Sequence, residues 1–315
     1  MIRFDHVSKQ YEGGRFAVRS LNLQIHDGEF FVLIGPSGCG KTTTLKMINR
    51  LIDLSEGTVW VNDKLISDYD IDELRWNIGY VLQQIALFPH MTIAENIAVV
   101  PELRRWDKRR IAARVDELLT MVGLEPSVYR NRKPRELSGG QQQRVGVIRA
   151  LAADPEILLM DEPFSALDPF SREKLQDDLL EIQQKLKKTI VFVTHDMQEA
   201  MKLGDRIGLM KGGELVQVGI PHTFLTDPAN DFVREFVGGY KFAVNVRELV
   251  HPVHTTATET KLIPLDTPFD EVLEHLSRFE QLSVEEDGHP IGIINRQHVL
   301  SYMSQYLRVG GQRNE

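Results

Sequence analysis

The residues of this sequence best suited to chemistry lie in one stretch, Gly35-Pro36-Ser37-Gly38-Cys39-Gly40-Lys41-Thr42-Thr43. Its pattern, G-x-x-x-x-G-K-[ST], is that of a loop that binds phosphate groups. Glycines allow the backbone to adopt positive φ angles and to approach oxygen atoms closely. The helix after such a loop offers unpaired N–H groups to an anion, while Lys41 can reach the β- and γ-phosphates and Thr42 can offer its hydroxyl to Mg²⁺. The alternative, an ordinary glycine-rich turn, is disfavoured by the flanking strand and helix patterns.

Four more polar residues each follow a short apolar segment with the composition of a buried strand. Asp161 and Glu162 follow one segment, and Gln83 and His195 each follow another. Ligands of parallel α/β sheets bind outside the carboxyl ends of the strands, so these residues can share one site if their strands are neighbours. Asp161 is then suited to Mg²⁺, Glu162 to activating a water, and His195 to contacting a γ-phosphate. Taken alone, Glu162 could be a helix-start carboxylate and His195 a structural histidine.

A second glycine-rich stretch, Leu137-Ser138-Gly139-Gly140-Gln141-Gln142-Gln143-Arg144, opens another predicted helix. It would offer backbone N–H groups to a second anion. An enzyme with a single phosphate loop has no evident need for two such helix starts. They indicate either two phosphates on one ligand or a site shared between two copies of the chain.

Strands and helices in alternation must position these residues, and this pattern indicates a parallel α/β sheet. A strand over 29–34 and a helix with Leu45, Ile48 and Leu51 at helical spacing flank the phosphate loop. Tyr11-Glu12-Gly13-Gly14 is a predicted turn. Further strands are predicted at 2–7, 21–25, 56–63, 78–82, 157–160, 189–194, 206–210 and 214–218, and further helices after Ser138 and at 171–187 and 197–203.

The chain divides into two predicted domains, 1–238 and 239–315, with the boundary at Gly238-Gly239. Helical periodicity dominates from about 87 to 150 and predicts a helical insertion in the first domain. The second domain contains a linker, a helix from Thr267 to about Ser277, two strands around the turn Glu286-Asp287-Gly288-His289, and a last helix from Gln297 to Leu307.

Composition restricts the classes of protein to which the chain can belong. The 315 residues are 42% hydrophobic and 26% charged, as in ordinary globular proteins. Neither a transmembrane run nor a signal-peptide core is evident. A net charge of −8 argues against a nucleic-acid partner, and the basic run Arg104-Arg105-Trp106-Asp107-Lys108-Arg109-Arg110 is best interpreted as a solvated helix start.

The single cysteine, Cys39, excludes an internal disulfide and suits a reducing cytosol. Its thiol lies beside Lys41 and near a helix N-terminus, an environment that can lower a thiol pKa. We therefore expect alkylation of Cys39 to stop catalysis and bound nucleotide to protect it.

The order of these stretches resembles the ATP-binding subunits of ABC transporters. Leu137-Ser138-Gly139-Gly140-Gln141, between the phosphate loop and Asp161, is similar to the signature motif of that family. Seven motifs fall in the family's order over residues 1 to about 238. The resemblance implies an α/β fold of the P-loop NTPase class, with a RecA-like parallel sheet core, an antiparallel β subdomain and a helical subdomain, followed by a small α+β CBS-like C-terminal domain.

In that family two copies dimerise head to tail and enclose ATP between the phosphate loop of one copy and the signature of the other. The resemblance thus implies ATP and Mg²⁺ as ligands and a second copy of the chain as partner. Tyr11, which alone reads as a solvent-facing turn residue, would stack on adenine, and Ser165-Ala166-Leu167-Asp168 would be the D-loop. The implied nucleotide contacts of one copy are Tyr11, Gly35, Pro36, Ser37, Gly38, Cys39, Gly40, Lys41, Thr42 and Thr43, and those of the other copy are Ser138, Gly139, Gly140 and Gln141. The implied metal ligands are Thr42, Gln83 and Asp161. The implied catalytic residues are Glu162, His195, Gln83 and Lys41.

Two further stretches indicate possible binding partners of the chain. Residues 87–97 resemble the region that receives the coupling helix of a permease subunit, the alternative being plain helical core. Pro264-Leu265-Asp266-Thr267-Pro268 and residues 287–294 resemble a single CBS motif, and importers of quaternary amines and osmoprotectants carry such tails, often with two motifs. One motif leaves two alternatives open: an adenine or cyclic-dinucleotide ligand at the tail, or a tail that only mediates dimer contact.

The resemblance favours the ATPase subunit of an importer for a quaternary-amine solute such as glycine betaine, carnitine or choline. It would lie peripherally on the cytoplasmic face of the membrane, bound to permease subunits and served indirectly by a solute-binding protein. An importer of another small solute, such as an amino acid, is the alternative. A soluble ABC ATPase is disfavoured because the chain has one cassette and no long coiled-coil insertion. A purely regulatory module is disfavoured because the catalytic motifs are intact.

Overall fold

A computed structural model describes residues 1–165, 167–238, 246–251, 261–286 and 288–299 of the chain. The chain forms two units, Met1–Arg234 and Glu235–Glu315. The predicted boundary at 238–239 stays a prediction, because Gly239 lies outside the described residues. Ala166 of the predicted D-loop, Asp287 and residues 300–307 of the predicted last helix lie outside them as well.

Within its described residues the first unit contains ten strands, ten α-helices, of which the tenth continues past Arg234, and two 3-10 helices, Ile66–Asp68 and Pro134–Glu136. The strands are β1 (Ile2–Gln10), β2 (Phe16–Ile25), β3 (Phe30–Ile34), β4 (Glu56–Val61), β5 (Lys64–Leu65), β6 (Ile78–Val81), β7 (Ile157–Asp161), β8 (Thr189–Thr194), β9 (Arg206–Lys211) and β10 (Glu214–Gly219). The helices are α1 (Lys41–Ile48), α2 (Ile71–Trp76), α3 (Ile93–Leu103), α4 (Lys108–Met121), α5 (Pro126–Tyr129), α6 (Gly139–Leu151), α7 (Pro169–Leu186), α8 (Met197–Leu203), α9 (Pro221–Thr226) and α10 (Asp231–Gly238).

A six-stranded sheet in the order β10-β9-β3-β8-β7-β6 forms the centre of this unit. The strands from β9 to β6 are parallel, and β10 pairs antiparallel with β9. Every residue of β3, β7 and β8 is buried, which explains why these strands are continuous apolar runs in the sequence. The phosphate loop follows β3, His195 follows β8, Asp161 ends β7, and Gln83 comes after β6. These four strands are neighbours in the sheet, as a shared site requires.

A four-stranded antiparallel sheet, β2-β1-β4-β5, accompanies the central sheet. Both β1 and β2 are longer than the predicted segments 2–7 and 21–25. Their pairing register shifts along the strands, and His6 and Ser20 have φ angles of 50° and 42°. Such bulges break the alternation of apolar and polar residues, so the sequence pattern reveals only part of each strand.

The predicted helical region is formed by α3 to α6. Thr92 caps α3 in a capping box with Glu95. The buried Asn96 binds the backbone of the preceding loop through Phe88, because its amide accepts from Phe88 N at 2.8 Å and donates to Phe88 O at 3.1 Å. In α4 the buried residues recur at helical spacing: Ile111, Val115, Leu118 and Leu119.

The second unit contains a small three-stranded sheet among its described residues. Its elements are α11 (Val246–Leu249), β11 (Lys261–Pro264), α12 (Phe269–Arg278), β12 (Gln281–Glu286) and β13 (His289–Asn295). The strand β12 pairs parallel with β11 and antiparallel with β13. Leu249, Val272, Leu282 and Ile294 belong to its buried core. The described part is thus an α+β arrangement with a core of its own.

Across the described ranges, none of the helices combines the length and the apolar character needed to span a membrane.

Candidate functional site

The phosphate loop turns sharply between β3 and α1, and two glycines make this turn possible. Gly35 has a φ of 151°, and a Cβ atom there would lie 2.2 Å from the carbonyl oxygen of Met210. Gly40 has a φ of 108°, and a Cβ atom there would lie 2.3 Å from the carbonyl oxygen of Ala17. Real side chains cannot occupy such positions, so only glycine lets the loop close against its neighbours.

The helix α1 begins directly after Gly40 and has no side-chain cap. The N–H groups of its first turn have no intrahelical acceptor, and they therefore form an anion-binding concavity with the positive end of the helix dipole. The ammonium group of Lys41 is buried within the loop, where it donates to the carbonyl oxygens of Gly35 at 2.8 Å and Pro36 at 3.1 Å. A buried cation amid free N–H groups is suited to a phosphate chain.

Asp161 ends β7 beside the first turn of α1. Its Oδ1 accepts a hydrogen bond from the hydroxyl of Thr42 at 2.7 Å. Its Oδ2 lies 3.4 Å from the hydroxyl of Tyr80, a residue of β6. Burial, reinforced by the negative charge of Asp161, raises the pKa of Tyr80, which keeps that hydroxyl protonated as a donor.

Glu162, Gln83 and His195 meet at the same edge of the sheet. Glu162 Oε2 lies 3.3 Å from Gln83 Nε2 and 3.1 Å from His195 Nδ1. Glu162 has a φ of 44°, so the chain leaves β7 in a left-handed turn. Its N–H still donates to the carbonyl oxygen of Val193 in β8, which fixes the turn to the next strand.

Thr42, Asp161 and Gln83 supply a hydroxyl, a carboxylate and an amide at this edge, an oxygen-rich set that fits Mg²⁺. Among the described residues no three or more His, Cys, Asp or Glu side chains cluster as a complete metal cage.

Tyr11 and the second glycine-rich stretch contact neighbours in their own parts of the fold. Tyr11 occupies the turn between β1 and β2, is 46% exposed, and has Lys9 Nζ 5.2 Å from its ring centroid. Ser138 caps α6 in a capping box with Gln141, whose amide also donates to the hydroxyl of Tyr129 at 3.1 Å.

The structure thus brings the loop together with Asp161, Glu162, Gln83 and His195, but it does not add the second stretch. Within the described residues, no hydrogen bond of the Ser138–Gln141 side chains reaches the phosphate loop. Gly139 has open space around its Cα, and Gly140 abuts Ser171 at the start of α7.

The expectation of a lowered Cys39 pKa is wrong. The side chain of Cys39 is buried, with 4% of the residue exposed. Burial raises the pKa of the thiol, although Lys41, whose Nζ lies 3.9 Å from Sγ, acts in the opposite direction. A Cβ atom at position 35 would lie 2.8 Å from this sulfur, so the thiol packs under the loop instead of facing a ligand.

Several residues near the site were not identified from the sequence. Tyr80 donates to Asp161, while Thr194, Arg172 and Glu199 form polar contacts on either side of His195. A threonine that ends an otherwise apolar strand and a glutamate on the buried face of α8 are weak signals for such a role.

Comparison with known proteins agrees with this geometry. Residues 18–165 match the family model described as "ABC transporter". The chain is 50% identical over 300 residues to the glycine betaine/carnitine/choline transport ATP-binding protein OpuCA of Bacillus subtilis, covering 95% of this chain and 77% of that protein. It is 47% identical over 304 residues to the osmoprotectant import ATP-binding protein OsmV of Salmonella typhimurium, covering 94% and 79%.

Among solved structures, the chain is similar to the ATP-binding cassette MJ0796 in a dimeric, post-hydrolysis state bound to ADP and Pi. The TM-score is 0.63 at 38% identity, covering 70% of this chain and 99% of that one.

Proposed function

This chain belongs to the ABC transporter family of ATP-binding proteins, and from that premise we propose that it powers the import of a quaternary-amine osmoprotectant. Family membership makes it an ATP hydrolase. The solute class is supported by the names of the relatives, which transport glycine betaine, carnitine and choline or import osmoprotectants. The solute itself would be selected by other subunits of the transporter, because it would not contact this ATP-binding subunit.

The observation that carries the proposal is the meeting of Asp161, Glu162, Gln83 and His195 at the mouth of the phosphate loop. In the proposed mechanism Lys41 and the α1 N–H groups bind the phosphates of ATP. Mg²⁺, held by Thr42, Asp161 and Gln83, would neutralise the developing phosphate charge.

Glu162 would act as the general base toward the attacking water. Its carboxylate is within hydrogen-bond distance of His195, which can orient it and contact the γ-phosphate. Gln83, two residues after the end of β6, contacts the same carboxylate oxygen and would link the metal to the transporter. The exposed ring of Tyr11 would stack on adenine.

A second copy of the chain would complete each site. The Ser138–Gln141 stretch makes no hydrogen bond to the loop of its own copy within the described residues, yet it presents glycines and a helix start suited to phosphate. The dimeric state of the MJ0796 cassette supports such an arrangement. The proposed assembly therefore holds ATP between the loop of one copy and the signature of the other.

The remaining partners follow from the same proposal. Leu87, Ile93 and Ile97 are buried, but Phe88 is 41% exposed and its ring lies tilted beside that of His90. The exposed part of this stretch would receive a permease subunit. The protein would then lie peripherally on the cytoplasmic side of the membrane and serve a solute-binding protein through the permease. In this proposal the tail is a single CBS-like motif. It would either bind an adenine or cyclic-dinucleotide ligand or only mediate contact between the two copies of the dimer.

Replacement of Glu162 tests the proposed function directly. Glu162→Gln keeps the size of the side chain but removes the base, so turnover should fall by about 100-fold or more while ATP binding persists. Steady-state ATPase assays and nucleotide-binding titrations measure the two quantities. Undiminished hydrolysis would refute the site, and failure of the wild-type chain to co-purify with an integral-membrane partner would refute the transport role.

A further inference from the structure

A ring around the Glu162–His195 pair is formed partly by polar contacts and partly by the covalent chain between Ser165 and Leu167. Ser165 donates to the carbonyl oxygen of Glu162 through its N–H at 3.3 Å and its hydroxyl at 3.0 Å. Thus the chain that follows Glu162 folds back onto it. From there the ring continues through Leu167 to Arg172 and returns to His195 through α8.

Arg172, in the first turn of α7, is the residue that joins the two sides of this ring. Its Nη2 donates to the carbonyl oxygen of Leu167 at 3.3 Å. Its Nη1 lies 3.6 Å from Asp196 Oδ2, and its Nε lies 3.9 Å from Glu199 Oε1. The Leu167 contact is a hydrogen bond and the two carboxylate contacts are ion pairs. The planar guanidinium directs its N–H groups at fixed angles, which the ammonium group of a lysine does not do.

Glu199 fixes the backbone on both sides of His195. Only 6% of its side chain is exposed, and its Oε2 accepts from the hydroxyl of Thr194 at 2.6 Å. The same hydroxyl accepts from the N–H of Asp196 at 3.0 Å. The buried carboxylate therefore binds Thr194 directly, and it is linked to the backbone of Asp196 through the Thr194 hydroxyl.

A buried carboxylate is stabilised as an anion by hydrogen bonds, such as the one from Thr194, and by a neighbouring cation. Burial raises the pKa of Glu199, while the charge of Arg172 acts to lower it. Loss of Arg172 would therefore leave Glu199 without its cation and would disturb the bonds that depend on its charge.

The ring encloses a cavity of about 40 Å³, with Glu162 and His195 on one side and Arg172 and Glu199 on the other. Within the described residues, the buried Nε of Arg172 has no hydrogen-bond partner. The cavity has room for a water molecule, which could join this N–H to the Glu199 carboxylate.

We propose that Arg172 and Glu199 are positioning residues, which hold His195 and Glu162 in the relative positions that hydrolysis requires; this inference rests on the function proposed above. Neither residue needs to touch the nucleotide. Their effect passes through the backbone around His195 and through Leu167, the two points where the ring meets the Glu162–His195 pair.

Substitution of either residue should lower turnover without weakening ATP binding. Glu199→Gln preserves size but removes the charge, and Arg172→Gln removes both the charge and the guanidinium donors. A misplacement of about 1 Å costs about 100-fold in rate. We expect kcat to fall about 10- to 100-fold, with the ATP dissociation constant within about twofold of wild type. Arg172→Lys should recover part of the loss. The double variant should be no slower than the slower single variant, because both changes break one unit.

The matched control is a second ion pair between the same two helices, α7 and α8, farther along both helices. Lys202 Nζ in α8 lies 2.8 Å from Asp177 Oδ1 in α7. Lys202→Gln and Asp177→Asn make the same change of charge, and they should leave kcat within about twofold of wild type.

The measurements are steady-state kinetics and ATP binding on the full chain, with thermal unfolding to monitor stability. Equal kcat for Arg172→Gln and Lys202→Gln would overturn the proposal, as would additive losses in the double variant. If a variant is too unstable, kinetics at low temperature and the Arg172→Lys variant decide the question. Absence of turnover in the wild-type chain would refute the proposed function itself, whereas turnover unaffected by Arg172→Gln would refute only this inference.

Discussion

The thiol of Cys39 lies beneath the phosphate loop, and this position determines its chemistry. The thiolate is the nucleophile in alkylation, so burial acts both by restricting access and by raising the pKa. A phosphate-loop cysteine is therefore structural here, and its protection by a nucleotide would not report the position of that nucleotide.

We expect Cys39 in the folded chain to react with iodoacetamide at pH 8 at least about tenfold more slowly than in the unfolded chain. Mass spectrometry of the alkylated protein over time, with and without urea, measures both rates. The thiol is the single cysteine of the chain, so no other sulfur interferes. Similar rates in the two states would show that the loop opens readily and exposes the thiol.

At the scale of elements, the carboxyl ends of four neighbouring strands assemble the site. Because β3, β8, β7 and β6 lie side by side and parallel, residues far apart in sequence reach one edge. Motifs placed at predicted strand ends therefore sufficed to predict which residues of the first unit would meet. The same reasoning could not predict Arg172 and Glu199, because their contact depends on how α7 and α8 pack.

The orientation of Cys39 and the full length of β1 escaped prediction for related physical reasons. The thiol turns inward because Gly35 closes against Met210 in β9, a contact between distant parts of the chain. In β1 a left-handed residue, His6, interrupts the alternation from which strands are recognised. Local patterns reveal regular elements, whereas bulges and loop closure depend on tertiary contacts.

In the second unit two histidine rings lie against each other beside the small sheet. The ring centroids of His251 and His298 lie 3.8 Å apart. Burial and the neighbouring His251 lower the pKa of His298 below its ordinary value of 6.5, while a hydrogen bond involving the Ile293 backbone acts in the opposite direction. A base whose pKa is lower in the folded state binds protons less tightly there than in the unfolded chain. Stability is therefore complete above pH 6.5 and falls as the pH drops below that value.

We predict that the local stability of residues 281–299 declines between pH 7.5 and pH 5. Hydrogen exchange followed by mass spectrometry, corrected for intrinsic exchange rates, measures this stability. His298→Gln should remove most of the decline, whereas His275→Gln, which changes a histidine of α12 that contacts Lys261, should preserve it. An unchanged pH dependence in His298→Gln would contradict the assignment.

At the scale of the whole molecule, the proposed dimer would give each chain two halves of different sites. The phosphate loop and its strand-end residues would form one half, and the Ser138–Gln141 stretch on α6 would form the other. In a two-fold dimer each residue of one copy faces the reciprocal residue of the other, so two identical composite sites arise. This arrangement can be tested by mixing two inactive chains.

Lys41→Ala removes the phosphate-binding cation, and Ser138→Arg places a bulky charge in the signature, so each homodimer should be inactive. A mixed dimer contains one site that carries both changes and one site that carries neither. An equimolar mixture should therefore regain up to about a quarter of wild-type ATPase activity, because about half of the dimers are mixed and each has one intact site.

The control for this complementation is a single chain that carries both substitutions. When mixed with either single variant it should restore nothing, because every composite site in such dimers retains a defect in its loop or its signature. ATPase assays at several total protein concentrations also test the assembly, since recovery should rise with dimer formation. If the two single variants stay inactive together while size-exclusion chromatography shows that they form mixed dimers, the signature does not complete the partner's site. The loop would then have to bind and hydrolyse ATP with the residues of its own copy, Asp161, Glu162, Gln83 and His195.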